Sequence, residues 1–365
     1  MKQKILIVSD SLRTGGIQSS LKTFLKYLAD DFDIEVFLFN RDGFKPTGLN
    51  KNIKVIFGSK LLQTVSCTSD YAKKQGLPTY ILRKIFALLC KLFSSRLMYS
   101  FVFMFERKIK NVDTVLSYSN NVSDRSVYFG YNLFAIKKVE AKQKIAYIHS
   151  DYSTIHSKYC DWEYSQFDKI WFVSYYTQQI FAKFYHGPQK TYNVIYNFID
   201  DESKNLKNPY KNDLFHIVTV GRLESEKGQI DSIEIAKNLK KENIDFEWYL
   251  VGDGVDRLKL EQLIKANDLE KQIIITGYKN NAKDYMKFAD ICVSLSKKET
   301  FGLTIADALN LGTPVVALDL PVLKEVSKGD GIIICNDLRQ IVSEIIKLHD
   351  NQQYYTKRKK ASFIP

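Results

Sequence analysis

The stretch SLSKKETFGLTIADALNLGTPVVA, residues 294–317, changes its period twice. ADICVSLS, which leads into it, is apolar and β-branched enough for a buried parallel strand. LTIADALNLG has helical spacing and stops at Gly312, and TPVVAL opens another strand behind a proline. Glu299, Thr300, Phe301 and Gly302 therefore form a strand-to-helix crossing. In a doubly wound sheet this crossing lies at the carboxyl end of a strand, where ligands bind, and the helix beyond it presents unpaired N–H groups with a partial positive charge. A carboxylate there has two readings. It complements the helix dipole, worth about 0.3–1 kcal/mol, or it accepts hydrogen bonds from the hydroxyls of a ligand whose phosphate rests on those N–H groups.

The same alternation extends in both directions. The N-terminal half runs through KILIVSD, a glycine loop SLRTGGIQ, a helical SSLKTFLKYLAD, and the strands DIEVFLFN, VDTVLSYS, KIAYIHS and KIWFVS. The C-terminal half repeats the scheme with HIVTVGR, FEWYLVG and QIIITG, each followed by a helical pattern. Strand exits carry Ser, His, Asp or Gly, the α/β pattern with its polar groups at the carboxyl edge. Polar, Asn- and Lys-rich NFIDDESKNLKNPYKND marks a linker at 197–213 between a first domain, 1–196, and a second, 214–365. The expected fold class is α/β, with two Rossmann-like doubly wound domains facing a central cleft.

Composition narrows the function. A chain of 365 residues, 45% hydrophobic, has enough apolar material for two cores. Cys67, Cys90, Cys160, Cys292 and Cys335 are odd in number and show no CxxC pairing, which points to a reduced, cytosolic setting. The start, MKQKILIVSD, reads as a first core strand, its apolar run being too short for a signal peptide.

The charge is unevenly shared. Residues 1–200 hold 28 Lys and Arg against 16 Asp and Glu, while residues 201–365 hold 25 of each, so the whole net charge of +12 sits in the first domain. Within it, TYILRKIFALLCKLFSSRLMYSFVFMFERKIK (79–110) alternates apolar clusters with Lys and Arg. Its apolar runs are far below the roughly 20 residues needed to span a bilayer. It reads either as two core helices with solvated basic residues or as a face lying on an anionic membrane. No nucleic-acid recognition module is present.

In the second domain GRLESEKGQ follows a strand and places Arg222 and Lys227 where a fork and a point charge can grip a diphosphate, unless the loop is simply solvated with Glu224 and Glu226. VGDG and TGY end the next two strands, and their glycines make tight turns or admit a ligand to the backbone. The ordered set GRLESEKGQ, WYLVGDG, IIITGY and SKKETFGLTIADALNLGTPVVA, with SLRTGGIQSSL, IHSD (148–151) and YNFID (196–200), resembles glycosyltransferase family 4, the group 1 retaining glycosyltransferases of the GT-B fold.

That resemblance implies roles. Glu299 would hold hydroxyls of the donor sugar, with the backbone at Phe301, Gly302 and Leu303 on sugar and phosphate. Arg222 and Lys227 would neutralise the leaving diphosphate. Gly15 and Gly16 would let the first-domain loop approach the donor phosphate or the acceptor, Gly252 would line the donor, His149 would sit over the sugar near the reacting carbon, and the backbone near Tyr278 and Lys279 would edge the base. The family's second glutamate is replaced by Asp307, which would take the ribose hydroxyls about 12 Å further along a helix if all eight intervening residues are helical, or would be a solvated helix residue. The family's closing helix looks shortened or absent in IVSEIIKLHDNQQYYTKRKKASFIP.

The implied chemistry is same-face transfer from a nucleoside diphosphate sugar, most simply a UDP-sugar, with no metal and no cofactor. His149 would orient or polarise, while neighbouring Asp151 and His156 have no fixed direction. The implied acceptor is a lipid-linked oligosaccharide or an anionic polymer of a bacterial cell-surface polysaccharide, met by a cytoplasmic protein peripheral to the inner membrane face through residues 79–110. A GT-B sugar-nucleotide epimerase and a non-catalytic sugar-nucleotide-binding partner of an active transferase remain alternatives.

Overall fold

The structure is a computed structural model that describes residues 2–45, 49–154, 158–200, 205–326 and 330–359. Its contacts divide the chain into two units, Met1–Phe198 and Ile199–Pro365. The first is built on seven parallel strands: β1 (Lys4–Ser9), β2 (Asp33–Leu38), β3 (Lys54–Phe57), β4 (Ile109–Ser117), β5 (Val139–Ile148), β6 (Lys169–Phe172) and β7 (Thr191–Val194), in the order β3-β2-β1-β4-β5-β6-β7. The second has six: β8 (Phe215–Val220), β9 (Phe246–Val251), β10 (Ile273–Gly277), β11 (Ile291–Ser294), β12 (Val315–Leu318) and β13 (Ile332–Cys335), ordered β10-β9-β8-β11-β12-β13 and again all parallel.

Strands covered by helices on both faces must be apolar almost throughout. In β1 the run Leu6, Ile7, Val8 is fully buried, as is Val315, Val316, Ala317 in β12. Each sheet reverses its winding at one point, between β1 and β4 in the first and between β8 and β11 in the second. At such a point the two neighbouring chains leave in opposite directions and open a crevice at the carboxyl edge. The opening stretch of sequence leaves β11, so Glu299 stands at the second crevice.

Three strands escape the sequence pattern, and all three are sheet edges: β3, β7 and β13. Each has four residues, and in β7 (TYNV) exposed residues alternate with partly buried ones. A short strand paired on one side buries too little to write a long apolar run.

The segment 197–213 does not behave as one piece. Ser20 Oγ donates to Asn197 Oδ1 at 2.5 Å and the Phe198 ring stacks on Tyr27 at 5.4 Å, which fastens those residues to the first unit. Tyr210 stacks on His216 at 4.0 Å and donates its hydroxyl to the Tyr285 carbonyl at 2.7 Å, on the second. At the far end the helix Gln352–Lys359 follows Leu338–Asp350, and Tyr354 and Tyr355 rest against the second core.

That core centres on Trp248, fully buried in β9, whose Nε1–H donates to Thr219 Oγ1 (3.0 Å) in β8. The Thr219 hydroxyl donates on to the Val293 carbonyl (2.7 Å) in β11. One relay thus crosses three strands beneath the crevice. Trp248→Ala is expected to cost about 3–5 kcal/mol, read as a lower denaturant midpoint of the second unit by hydrogen exchange or intrinsic fluorescence.

Candidate functional site

Two loops build the crevice of the second unit. The loop after β8 carries Arg222 and a short turn, Ser225–Lys227, that closes at Gly228 with φ 68°. A side chain at Gly228 would overlap the carbonyl oxygen of Leu295, the residue after β11, so only glycine lets the two backbones touch. The Lys297 N–H then donates to the Glu226 carbonyl at 2.8 Å. This contact brings Lys227 Nζ to 2.6 Å from Glu299 Oε1, in a carboxylate side chain only 11% exposed. Beyond it Phe301 is buried, Gly302 sits at φ 84°, and the helix Leu303–Asn310 begins. With the Phe301 ring turned into the core, only its backbone is offered to a ligand.

The other candidates are distributed around this pair. Arg222 pairs with Glu224 at 2.9 Å and is largely exposed, so of the two cations it is Lys227 that meets Glu299. Asp307 lies 3.9 Å from Lys283 Nζ. Glu299–Gly302 is loop and Leu303–Asp307 is helical, a rise of about 6 Å along the axis. Gly252 is explained by packing: a Cβ there would overlap the Gly221 carbonyl oxygen. Tyr278 is half exposed, with its hydroxyl donating to Asn280 at 3.1 Å, and Lys279 follows it.

The crevice of the first unit has its own polar cluster. Gly15 precedes the helix Gly16–Leu28, and a side chain at Gly15 would collide with the amide oxygen of Gln18. Gln18 Nε2 donates to both oxygens of buried Asp10 (2.9 and 3.1 Å), which also faces Arg13 at 3.5 Å. Ser9 and Ser119, from β1 and the exit of β4, share a hydrogen bond of 2.8 Å, and the Asp10 N–H donates to Ser119 Oγ. Asp10 stood in plain view at a strand exit in KILIVSD; Gln18 had no signal, since glutamine on a helix is ordinarily a surface residue.

His149 follows β5 and is buried. Its ring packs against Tyr147 (centroids 4.2 Å) and Tyr118 (4.5 Å), which also touch each other at 5.2 Å. The backbone N–H groups of His149 and Ser150 both donate to Asn120 Oδ1, at 2.6 and 3.0 Å, and Asn120 Nδ2 donates to the Tyr147 carbonyl at 2.9 Å. Asn120 therefore sets the exit of β5 from the exit of β4, a role visible only once the two strands are paired. The Tyr147 hydroxyl donates to the Ile195 carbonyl at 2.5 Å, and the Tyr118 hydroxyl shares a 2.7 Å bond with Ser20. Burial pushes the imidazole down to about 3, so the ring is neutral at physiological pH. A neutral imidazole orients or polarises; it supplies no positive charge. Asp151 accepts from the N–H and hydroxyl of Ser153 and shapes the following turn, and His156 lies outside the described residues. Among the described residues no group of three or more His, Cys, Asp or Glu is arranged to hold a metal ion, and the five cysteines are buried.

Two doubly wound parallel units, each with a polar crevice at its winding reversal, define the GT-B class of nucleotide-sugar folds. Residues 200–363 match the family profile "Glycosyl transferases group 1". It is 28% identical over 144 residues to an O-antigen biosynthesis glycosyltransferase of Escherichia coli, a match that covers 38% of this chain and 40% of that one. An alpha-monoglucosyldiacylglycerol synthase of Acholeplasma laidlawii is 29% identical over 146 residues, 39% of this chain and 37% of its own. The chain thus spans less than half the length of these curated relatives. A solved Anabaena protein, HepE, in complex with UDP and glucose, superposes with a TM-score of 0.66 at 18% identity, covering 98% of this chain and 93% of that one, and shares the fold.

The buried histidine has a pH signature. The folded protein binds no proton at His149 until pH falls near 3, whereas the unfolded chain binds one near 6.5. Stability from this group is therefore complete above 6.5 and is lost as pH falls from 6.5 towards 3, by up to about 1.4 kcal/mol per unit. His149→Phe, which keeps a ring packed against the tyrosines, is expected to flatten that part of the acid profile in denaturant titrations at pH 7, 6, 5 and 4.

Proposed function

We propose that the protein transfers a hexose or N-acetylhexosamine, with retention, from a nucleoside diphosphate sugar to a cell-surface polysaccharide precursor. The Lys227–Glu299 pair at the winding reversal of the second unit carries this reading. When a donor enters, Glu299 accepts from the sugar hydroxyls and Lys227, with Arg222, turns to the diphosphate, whose distal phosphate lies at the N-terminus of Leu303–Asn310. Asp307 takes the ribose hydroxyls, the backbone at Tyr278 and Lys279 edges the base, and Gly15 and Gly16 let the first-unit loop approach the donor. UDP is the preferred nucleotide.

In the reaction the bond from the anomeric carbon to the phosphate oxygen breaks and the acceptor oxygen bonds that carbon on the same face. The acceptor proton passes to the departing phosphate. Negative charge grows on the diphosphate, and fixed positive charge aimed at it lowers the barrier. Lys227, Arg222 and the helix N-terminus supply that charge without a metal. Neutral His149 holds or polarises the sugar near the reacting carbon.

The acceptor is read as a lipid-linked oligosaccharide or an anionic polymer, handled by the basic first unit at the cytoplasmic face of an anionic membrane through residues 79–110. The names of the Escherichia coli and Acholeplasma laidlawii relatives, one for O-antigen and one for a diacylglycerol product, support an acceptor of this class.

Thermal shift and slow donor hydrolysis, screened over UDP, GDP and ADP and their common sugar conjugates, test the reading. One sugar nucleotide is expected to stabilise the wild type and be hydrolysed. Glu299→Ala should keep the nucleotide-dependent shift, lose the sugar-dependent part, and turn over about 10²–10³-fold more slowly. Absence of binding by every nucleotide would overturn the proposal, and conversion of the donor alone to an epimer would replace it by the epimerase reading.

A further inference from the structure

Residues 79–110 fold mainly as two helices, Leu77–Leu92 and Ser95–Met104, before entering β4. Each has a true core face. In the first helix Arg83, Phe86 and Cys90 point inward, the Arg83 Nε–H donating to the Cys67 carbonyl at 2.9 Å; in the second, Tyr99, Val102 and Phe103 do so. An ordinary surface helix would turn polar residues to the opposite side. Here that side of the first helix is Leu77, Ile81, Ile85, Leu88 and Leu92, all 47–67% exposed. The second helix continues it with Leu97, Phe101 and Met104, 57–74% exposed. More than half of the exposed large apolar side chains among the described residues fall between 77 and 105.

The charges around this face are mostly basic. Lys84 and Lys91, two helical turns apart, lie on one flank of the apolar stripe, and exposed Arg107, Lys108 and Lys110 follow the second helix. Between Asp70 and Asp113 the single carboxylate is Glu106, which is buried and accepts the Ser59 N–H on both oxygens at 3.1 Å. Exposed Glu140 lies 3.6 Å from both Lys108 and Lys110, so the positive field beside the stripe rests on Lys84, Lys91 and Arg107. A second copy of the chain is a poor occupant, because a two-fold contact brings each patch onto itself and sets Lys84, Lys91 and Arg107 against like charges. Anionic headgroups answer both features at once: acyl chains receive the stripe and phosphates neutralise the lysines.

We infer that the outer face of helices Leu77–Leu92 and Ser95–Met104 docks in the plane of an anionic lipid bilayer, with the leucine and phenylalanine side chains at the headgroup–acyl boundary. No described helix is long and apolar enough to cross a membrane. The contact is therefore parallel to the surface. The inference deepens the membrane partner proposed above but stands on this face alone, and the vesicle assay that tests it needs neither donor nor acceptor.

The test is sedimentation of the full chain with phosphatidylcholine vesicles, with and without phosphatidylglycerol, at low and high salt. Three proteins are compared: wild type, Leu88→Glu/Phe101→Glu and Lys84→Glu/Lys91→Glu, with folding checked by circular dichroism. Wild type should bind phosphatidylglycerol vesicles far better than phosphatidylcholine alone and lose affinity with salt. The charge reversal should weaken binding by about tenfold or more, and the apolar-to-acid pair should abolish it, with donor hydrolysis unchanged in both. Failure of wild type to bind anionic vesicles at low salt would overturn the inference. So would equal binding by the three proteins, or a wild-type dimer in solution that Leu88→Glu/Phe101→Glu converts to monomer. Loss of donor binding with intact vesicle binding would sink the transferase reading alone.

Discussion

Everything at the second crevice depends on one backbone contact, Gly228 against the carbonyl of Leu295. The loop after β8 and the loop after β11 are 72 residues apart in sequence at their functional ends, Lys227 and Glu299. They are neighbours because the sheet reverses its winding between those strands, and they touch because one residue has no side chain. The ion pair is a result of that contact. A carboxylate this enclosed needs a partner when the crevice is empty, since an uncompensated buried charge is costly. Lys227 supplies it, and in the proposed reaction the same ammonium is handed to the ligand's phosphates as the sugar hydroxyls take over Glu299. One cation then serves the empty and the filled states in turn.

The first unit uses different means for the same edge of the sheet. Asp10 is held by Gln18 and Arg13 and locked to the exit of β4 through Ser119, so the glycine loop hangs on a fixed acid. His149 is fixed by rings and by its backbone. Asn120 gathers two N–H groups on one oxygen, and the two tyrosine rings packed against the imidazole help to keep it dry. Where the second unit holds charge ready, the first holds a neutral group in place.

Much of this was legible before any coordinates. Strands buried on both faces write continuous apolar runs, and ten of them could be read directly; β3, β7 and β13 could not, because edge strands bury one side of a short segment. Glu299 was visible as an acid at a period change. Its partner was not fixed, because Arg222 and Lys227 stand on the same loop, and the choice depends on a turn ending at a left-handed glycine. Gly252 reads from sequence as either a tight turn or a close approach to a ligand, and the neighbouring Gly221 carbonyl gives it a packing reason that spacing does not reveal. How much of the segment from Glu299 to Asp307 is helical could not be read, because a helix start is hard to place when its cap is a glycine with no side chain to announce it.

The hydroxyls of the two tyrosines packed against His149 tie the histidine to the end of the first unit. Tyr147 is tied to the carbonyl of Ile195, and Tyr118 reaches Asn197 through Ser20. The last few residues before the boundary at Phe198 are thus part of the histidine's mounting as well as a connection to the second unit. For modular engineering this sets where the chain can be cut. A hybrid that takes its first unit from this protein must carry Ile195–Phe198 with it, and one joined earlier would inherit every named residue of the site and still misplace the imidazole.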